Sequence, residues 1–299
     1  MKRNLLLSLL LVSIYTFVQG QCPNNSMTFE TQVQIDDFKV NYPDCTHFLF
    51  NITIQESTDG DITNLDGLSN IEIIDGALKI IGNDLLQHLT GLDNLQSIGG
   101  NLEITDNDNN DIPYHGLEDL DGLDNLTTVS GDIIIQDNDN LADLYGLNNL
   151  TTVGGDIFIH DNDFLEHLFS SGNLTSIGQD LYLSGDHLID FVGLQSITNI
   201  SGDLTIYDNN TITGLSGLQN ITNVSGDLRI SNNDDLVDLY DLDLLVSVGG
   251  SLIIESNNSL QHLFSSNNFN SVGDDLMIID NDIIDITGFN NLTTVPGTF

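Results

Sequence analysis

Pairs of aspartates separated by one residue recur along the chain and could bind a divalent cation. The clearest pairs are Asp137 with Asp139 and Asp161 with Asp163. Carboxylate oxygens are ligands that Ca²⁺ takes in proteins. The turns lack the glycine and closing glutamate of a helix–loop–helix calcium loop, and solvated acidic turns would give the same pattern. We therefore expect no required cofactor, with Ca²⁺ as the candidate ion for these four residues.

The histidines could serve in catalysis, but their distribution argues against it. His88, His167 and His262 each lie between a Gln or Glu and a leucine, at the same phase of a repeated phrase. A catalytic group needs one place and a specific partner, whereas these residues recur. Lys79 and Arg229 are the basic residues of the repeats, too few for a typical polysaccharide-cleaving site. The sequence predicts a protein that is not an enzyme, with a polysaccharide-active enzyme as the remote alternative.

Both groups of residues belong to a repeat of about 24 residues that starts near residue 76. Each copy opens with a turn residue before a short apolar run. The copies begin at Gly76, Gly100, Gly131, Gly155, Gln179, Gly202, Gly226, Gly250 and Asp274. The step from Gly100 to Gly131 is 31 residues rather than 24, which indicates an inserted loop near residues 109–116. A fixed period in this range predicts a solenoid.

One copy, residues 131–154, shows how a turn of the solenoid is built. Ile133 and Ile135 alternate with outward residues, which predicts a short strand with both isoleucines in the core. Leucines then recur every third residue from Leu141, a spacing too regular for an amphipathic helix. Asn138 and its in-phase copies predict a stacked ladder in which each amide bonds the backbone of its own and the next turn.

Outward positions of equal phase should form columns across the sheet. One column contains Ile134, Phe158 and Tyr182, and the next contains His160 and Tyr207. Neighbouring strands lie about 4.8 Å apart, so these side chains should form one exposed aromatic patch. We interpret the patch as a candidate ligand-binding face. The alternative is cross-strand packing that only stabilises the sheet.

The repeated phrase resembles that of a known family. From Gly122 to Leu144, Gly146 to Leu168 and Gly217 to Leu239 the chain has Asn-Leu-Thr or Asn-Ile-Thr and later leucines three residues apart. This pattern is similar to the receptor L-domain family of leucine-rich modules, over roughly residues 45–299. The resemblance implies an all-β-rich solenoid, a right-handed β-helix of leucine-rich, L-domain-like repeats. The chain lacks the cysteine-rich modules of hormone receptors, so hormone recognition is not carried over.

The N-terminal part differs from the repeats. Residues 1–20 have a charged start and a short apolar run, which predicts a secretory signal peptide. Residues 21–50 should form a cap, in which Cys22 and Cys45 pair as a disulfide, with two free thiols as the alternative. Residues 51–299 should form the repeat solenoid, which stops where another strand would begin and could be incomplete there.

The net charge of −40 limits the classes of partner. Such a surface repels nucleic acid and anionic membranes, and beyond the signal peptide no stretch is long and apolar enough for membrane insertion of the mature chain. We expect a secreted or cell-surface recognition or adhesion scaffold that binds an extracellular protein or glycan. The alternative is a calcium-stabilised structural protein of the cell envelope or extracellular matrix.

Overall fold

The structure, a computed structural model, describes residues 22–57, 61–108 and 116–298. The predicted signal peptide and most of the inserted loop lie outside the described residues. In chain order the strands are β1 (Met27–Phe29), β2 (His47–Phe48), β3 (Ile52–Ile54), β4 (Ile73–Ile74), β5 (Leu78–Ile81), β6 (Ser97–Ile98), β7 (Leu102–Thr105), β8 (Thr128–Val129), β9 (Ile133–Gln136), β10 (Thr152–Val153), β11 (Ile157–His160), β12 (Ser176–Ile177), β13 (Leu181–Ser184), β14 (Asn199–Ile200), β15 (Leu204–Tyr207), β16 (Asn223–Val224), β17 (Leu228–Ser231), β18 (Ser247–Val248), β19 (Leu252–Glu255), β20 (Ser271–Val272) and β21 (Leu276–Ile279). The helices are α1 (Gln32–Asn41) and single 3₁₀ turns at Asp66–Leu68, Tyr145–Leu147, Tyr240–Leu242 and Thr287–Phe289.

The chain is a parallel β-solenoid of about ten turns, which confirms the predicted fold class. The odd-numbered strands from β1 to β21 form one sheet of eleven strands, called here the long sheet. The even-numbered strands from β2 to β12 form a second sheet of six strands. The even-numbered strands from β14 to β20 form a third sheet of four strands. Each turn therefore adds one strand to the long sheet and one to a shorter sheet.

The core follows the predicted spacing. Ile133 and Ile135 are at most 1 % exposed, while Ile134 between them is half-buried on the outside. Leu141 and the apolar residues that follow it at intervals of three are also at most 1 % exposed. Of these residues only Leu147 lies in a 3₁₀ turn, Tyr145–Leu147, and no α-helix covers this described segment. Stacked turns thus bury one continuous core that no single repeat could bury alone.

The region expected to be a cap also begins the sheets. Strand β1 pairs with β3, and β2 pairs with β4, so two strands of the expected cap already belong to the sheets of the solenoid. Helix α1 lies between them, with Thr31 as its N-cap and with Ile35 and Phe38 buried. The disulfide between Cys22 and Cys45 is present, as predicted. It joins the start of the described chain to the segment just before β2.

A ladder of buried asparagines runs through the turns after the long-sheet strands. At Asn138, Nδ2 donates to the carbonyl oxygen of Gln136 at 2.7 Å and to that of Ile104, in the preceding turn, at 3.0 Å. The expectation that the amide bonds the next turn's backbone was therefore wrong in direction. The contact with the next turn is to a side chain, because the Asn138 backbone N–H donates to Asn162 Oδ1 at 3.2 Å. The rungs of this asparagine ladder are residues Asn83, Asn107, Asn138, Asn162, Asp186, Asn209, Asn233, Asn257 and Asn281.

A second ladder explains the column of aspartates that precedes the strands. The backbone N–H of Asp156 donates to Asp132 Oδ1 at 3.0 Å, and that of Asp180 donates to Asp156 Oδ1 at 2.7 Å. Asp203 and Asp227 continue the series, each donating at 2.7 Å to the preceding aspartate. Like charges stacked on adjacent strands repel one another. Here each carboxylate also satisfies a backbone donor of the next turn, which offsets that repulsion.

Candidate functional site

The predicted patch lies on the outer face of the long sheet, at the outward positions of β9, β11, β13 and β15. In this register Ile134 is opposite Phe158, and Phe158 is opposite Tyr182. All three side chains are half-buried. The constant repeat length brings residues of equal phase onto adjacent strands, so the sequence predicted their adjacency.

The aromatic rings of the patch contact one another. The ring centroids of Phe158 and Tyr182 are 6.1 Å apart, and those of His160 and Tyr182 are also 6.1 Å apart in an edge-on arrangement. His160 Nδ1 lies 2.9 Å from Asp161 Oδ2. Tyr182 therefore stands at the centre of a three-ring group, and such packing restricts its side-chain rotamers.

Tyr207 belongs to the patch but is set apart from His160. The strand register places Ser184 between them, opposite both residues. Ser184 is buried and Thr205, next to Tyr182 in the other column, is half-buried. Sequence reasoning did not choose Gln136, Ser184 or Thr205 as site residues. Their position in the same two columns could have identified them from the sequence.

The patch is free of formal charge although the chain as a whole carries −40. None of the outward residues of β9, β11, β13 and β15 is Asp, Glu, Lys or Arg. They are Ile134, Gln136, Phe158, His160, Tyr182, Ser184, Thr205 and Tyr207. We call these eight residues the uncharged face. Their span across four strands is about 14 Å.

Ion pairs border the uncharged face on both sides. On one side Lys79 pairs with Glu103 across β5 and β7. On the other, Arg229 Nη2 lies 3.1 Å from Glu255 Oε2 across β17 and β19. The cations of the repeats are thus held by neighbouring glutamates of the long sheet. This arrangement leaves an apolar and aromatic centre with a charged rim, the composition that protein–protein interfaces favour.

Two of the four aspartates predicted as calcium ligands have a structural role at the ends of strands. Asp137 and Asp161 adopt left-handed backbone conformations, with φ of 51° and 55°, and end their strands. Asp139 lies beside Asp108 on the preceding turn. The pKa of Asp108 is raised to about 6, first by burial and then by the charge and hydrogen bond of Asp139.

The same turns do not form a metal-binding cluster in the part of the chain that the structure describes. Across residues 22–57, 61–108 and 116–298, no group of three or more His, Cys, Asp or Glu could hold a metal ion. Calcium binding by Asp137, Asp139, Asp161 and Asp163 therefore stays a prediction, which only a measurement with the ion can test.

The recurring histidines pair with aspartates of adjacent turns. His88 Nδ1 lies 2.8 Å from Asp119 Oδ2, and His262 Nδ1 lies 3.4 Å from Asp285 Oδ2. The hydrogen bond with Asp119 raises the pKa of His88. The backbone of His167 forms an isolated β-bridge with that of Asp143 on the preceding turn, and the His167 ring stacks on Tyr145 at a centroid distance of 6.1 Å. The histidines serve as cross-turn contacts of the repeat, and their arrangement is not that of a nucleophile with its base.

Comparison with known proteins gives one family. Residues 96–184 match the family model described as the Receptor L domain. The matched segment contains Ile134, Phe158, His160 and Tyr182, and it ends before Tyr207. The searches of curated proteins and of solved structures found no match. The family match and the repeat solenoid together support a receptor L-domain-like family, as the sequence phrase predicted.

The match carries coarse functional information. Receptor L domains are non-catalytic domains that bind extracellular ligands. With the Cys22–Cys45 disulfide, the match points to an extracellular or cell-surface protein. No helix among the described residues has the length and apolarity needed to cross a membrane.

Proposed function

We propose that this receptor L-domain-like chain is a secreted or cell-surface recognition or adhesion scaffold that binds an extracellular protein or glycan through its uncharged face. The contact residues are Ile134, Phe158, His160, Tyr182 and Tyr207. One observation carries the proposal: in a chain of net charge −40, the outward positions of β9, β11, β13 and β15 carry no carboxylate and present aromatic rings instead.

The physical chemistry of the face supports binding. Aromatic side chains provide large contact areas with few rotatable bonds, so little conformational entropy is lost when a ligand covers them. The contacts among Phe158, Tyr182 and His160 restrict these rings before any ligand arrives. A polar group buried by the ligand would find the Tyr182 and Tyr207 hydroxyls as partners.

The charge outside the face favours some partners and excludes others. The acidic surface would slow the approach of nucleic acid and of anionic membranes, and would speed the approach of a partner with basic groups. We therefore expect no nucleic-acid partner. A protein or glycan that covers the aromatic centre and places cations over the surrounding acidic turns fits best.

The test is a screen of the mature chain against a glycan array and a panel of purified extracellular proteins. Hits are then measured with a variant that carries both Phe158→Ala and Tyr182→Ala. The matched control carries Phe164→Ala and Tyr240→Ala, which removes the same two ring types from exposed positions elsewhere, 55 % and 42 % exposed. We expect binding to be lost in the first variant only, with the thermal midpoints of both close to wild type. Equal binding by both variants would refute the proposed face.

A calcium-stabilised structural protein of the envelope or matrix is the second candidate. The observation that favours it is the row of carboxyls formed by Asp108, Asp139 and Asp163. Burial and the charge of Asp139 raise the pKa of Asp108, and burial and the charge of Asp163 raise the pKa of Asp139. Thermal unfolding in EDTA and then in millimolar CaCl₂, at fixed ionic strength, separates the two candidates. A calcium-specific rise in the midpoint supports this role, because a ligand stabilises the state that binds it. Equal midpoints in calcium and sodium would exclude it.

A further inference from the structure

One rung of the asparagine ladder is an aspartate. Asp186 occupies the position that asparagine holds at the other rungs and is 3 % exposed. Its Oδ1 behaves like an asparagine oxygen, because it accepts the Asn162 backbone N–H at 2.9 Å and Asn162 Nδ2 at 3.1 Å. The ladder is therefore intact on the side of Asp186 that faces the preceding turn.

The ladder is interrupted on the other side. At the other steps between the described rungs, the backbone N–H of one rung donates to Oδ1 of the next at 2.9–3.2 Å. This bond is missing from Asp186 to Asn209. Within the described part of the chain, Asp186 Oδ2 and Asn209 Oδ1 are both buried and have no hydrogen-bond partner.

The chemistry of the substitution explains the interruption. Asn162 Nδ2 donates to the carbonyl of its own strand end at 3.0 Å and to a carbonyl of the preceding turn at 3.2 Å. In Asp186 an oxygen stands in place of that nitrogen. An ionised carboxylate has no hydrogen to donate. Its oxygen would therefore face other hydrogen-bond acceptors in a buried site, which is unfavourable. A protonated carboxyl has one O–H, so it supplies one of the donors that the amide nitrogen would have provided.

We propose that Asp186 is a proton-binding rung: its carboxyl is protonated in the folded solenoid, Oδ2–H donates to Asn209 Oδ1, and loss of this proton opens the ladder between the two turns. The rung follows β13, which carries Tyr182, and the next rung follows β15, which carries Tyr207. The site thus couples the packing of two central turns to pH. It does not depend on the proposed function.

The surrounding charges favour the protonated form. Asp161 and Asp163 lie on the preceding turn and oppose a negative charge on Asp186. Asp208, of the next turn, and His187, the sequence neighbour, line the same hollow of about 180 Å³ beside Asp186. Burial is the main cause that raises the pKa of Asp186 to about 7, against the opposing effect of the two hydrogen bonds from Asn162.

The sign of the pH dependence follows from this shift. The folded chain binds the Asp186 proton up to about pH 7, while an unfolded aspartate releases it near its ordinary pKa of 3.8. Between these values the folded state binds more protons than the unfolded state, so stability falls as pH rises. The contribution is complete below about pH 4 and is lost as pH passes through about 7.

Asp186→Asn provides the test, because it makes the rung like its neighbours. Thermal midpoints of wild type and variant are measured at pH 5 and pH 8.5 at fixed ionic strength. We expect the variant to melt several degrees above wild type at pH 8.5, and the difference to shrink strongly at pH 5. The same difference at both pH values would overturn the proposal, since other titrating groups are common to the two proteins.

Two further measurements keep the test decisive. Asn233→Asp places a carboxyl at a regular rung and should introduce a new loss of midpoint between pH 5 and pH 8.5. An infrared difference spectrum of wild type minus Asp186→Asn should contain the C=O band of a protonated carboxylic acid at pH 5.5 and lose it at pH 9. Absence of that band at pH 5.5 would contradict the proposal whatever the midpoints show.

Discussion

Single polar side chains connect the turns of this solenoid. The residue type at each position matches the backbone donor or acceptor that its side chain must bond. Asn-Leu-Thr phrases show this directly before strands of the second sheet. Asn149 Nδ2 donates to the Asp124 carbonyl at 2.7 Å, and Thr151 Oγ1 donates to the Thr127 carbonyl at 3.0 Å. Leu150 between them is buried. The three residues of the phrase thus contribute to the contacts between turns and to the core.

Removal of one rung should have a large effect for a single substitution. Asn233→Ala leaves the carbonyls of Ile206 and Ser231 without their side-chain donor and removes the acceptor for the Asn209 N–H. We expect a loss of roughly 2–4 kcal/mol of unfolding free energy, measured by urea denaturation. Asn258→Ala is the control, because that side chain is exposed and bonds Asp234. A loss of similar size in the control would argue against the ladder as the source.

For single residues, the sequence predicted which side chains are buried better than it predicted their hydrogen-bond partners. The recurring asparagine could be recognised as a buried ladder because an amide at an inward position needs partners. Asp186 was not recognised, since an aspartate does not stand out in a chain with 45 acidic residues. The direction of the hydrogen bonds made by the side-chain amides was not predictable either, because periodicity does not distinguish the preceding turn from the next.

Each central strand of the long sheet ends in a residue with left-handed backbone. Gly82 and Gly185 fill this position in two turns, and aspartate, asparagine or serine fills it elsewhere. Glycine, asparagine and aspartate adopt this conformation more readily than other residues. At Asp137 this conformation changes the direction of the backbone where β9 ends, and the chain turns towards the asparagine ladder.

Ser256 tests this reading, because it has φ of 55° and is not one of the favoured residue types. Ser256→Gly should change the unfolding free energy by at most about 1 kcal/mol in the stabilising direction, as relief of strain is offset by the flexibility of glycine in the unfolded chain. Ser256→Val should destabilise by about 1–2 kcal/mol. The two variants are compared by thermal unfolding, and the reverse order would contradict the assignment.

The disulfide between Cys22 and Cys45 should stabilise the N-terminal cap. Replacement of Cys22 and Cys45 by alanine opens a loop with a sequence separation of 23 and should cost about 3 kcal/mol on the chain-entropy account. Because contacts in a solenoid are local, the loss should be concentrated in α1 and the first strands. Hydrogen exchange measures this directly. Faster exchange spread evenly along all turns would contradict this prediction, because it would show that the cap stabilises the whole solenoid.

Helix α1 and strands β1 and β2 were not predicted, because the segment lacks the repeat phrase and its apolar residues follow another spacing. The disulfide was predicted because two cysteines in a chain expected to be secreted have few alternatives. Elements of the repeats were predictable since nine copies of one pattern reinforce each other. An element that occurs once has no such support.

For the whole molecule, a constant period brings residues of equal phase together, and this property made the columns of the long sheet predictable. The inward positions are constrained by the core and the ladders, so they repeat. Outward positions such as Phe158 and Tyr182 vary between copies, and that variation is where ligand specificity is expected. The uncharged face is a property of four adjacent turns and becomes visible only when the columns are aligned.

The central claim, recognition through the uncharged face, is tested most directly by the same substitution at two tyrosines. Tyr182→Glu places a charge in the middle of the face, while Tyr240→Glu places it on a tyrosine that is 42 % exposed elsewhere. Affinity for a ligand from the screen is measured with wild type and both variants. We predict a loss of at least roughly 30-fold for Tyr182→Glu, the effect of an interface hot spot, and an unchanged affinity for Tyr240→Glu. Wild-type affinity in a folded Tyr182→Glu variant would contradict the account.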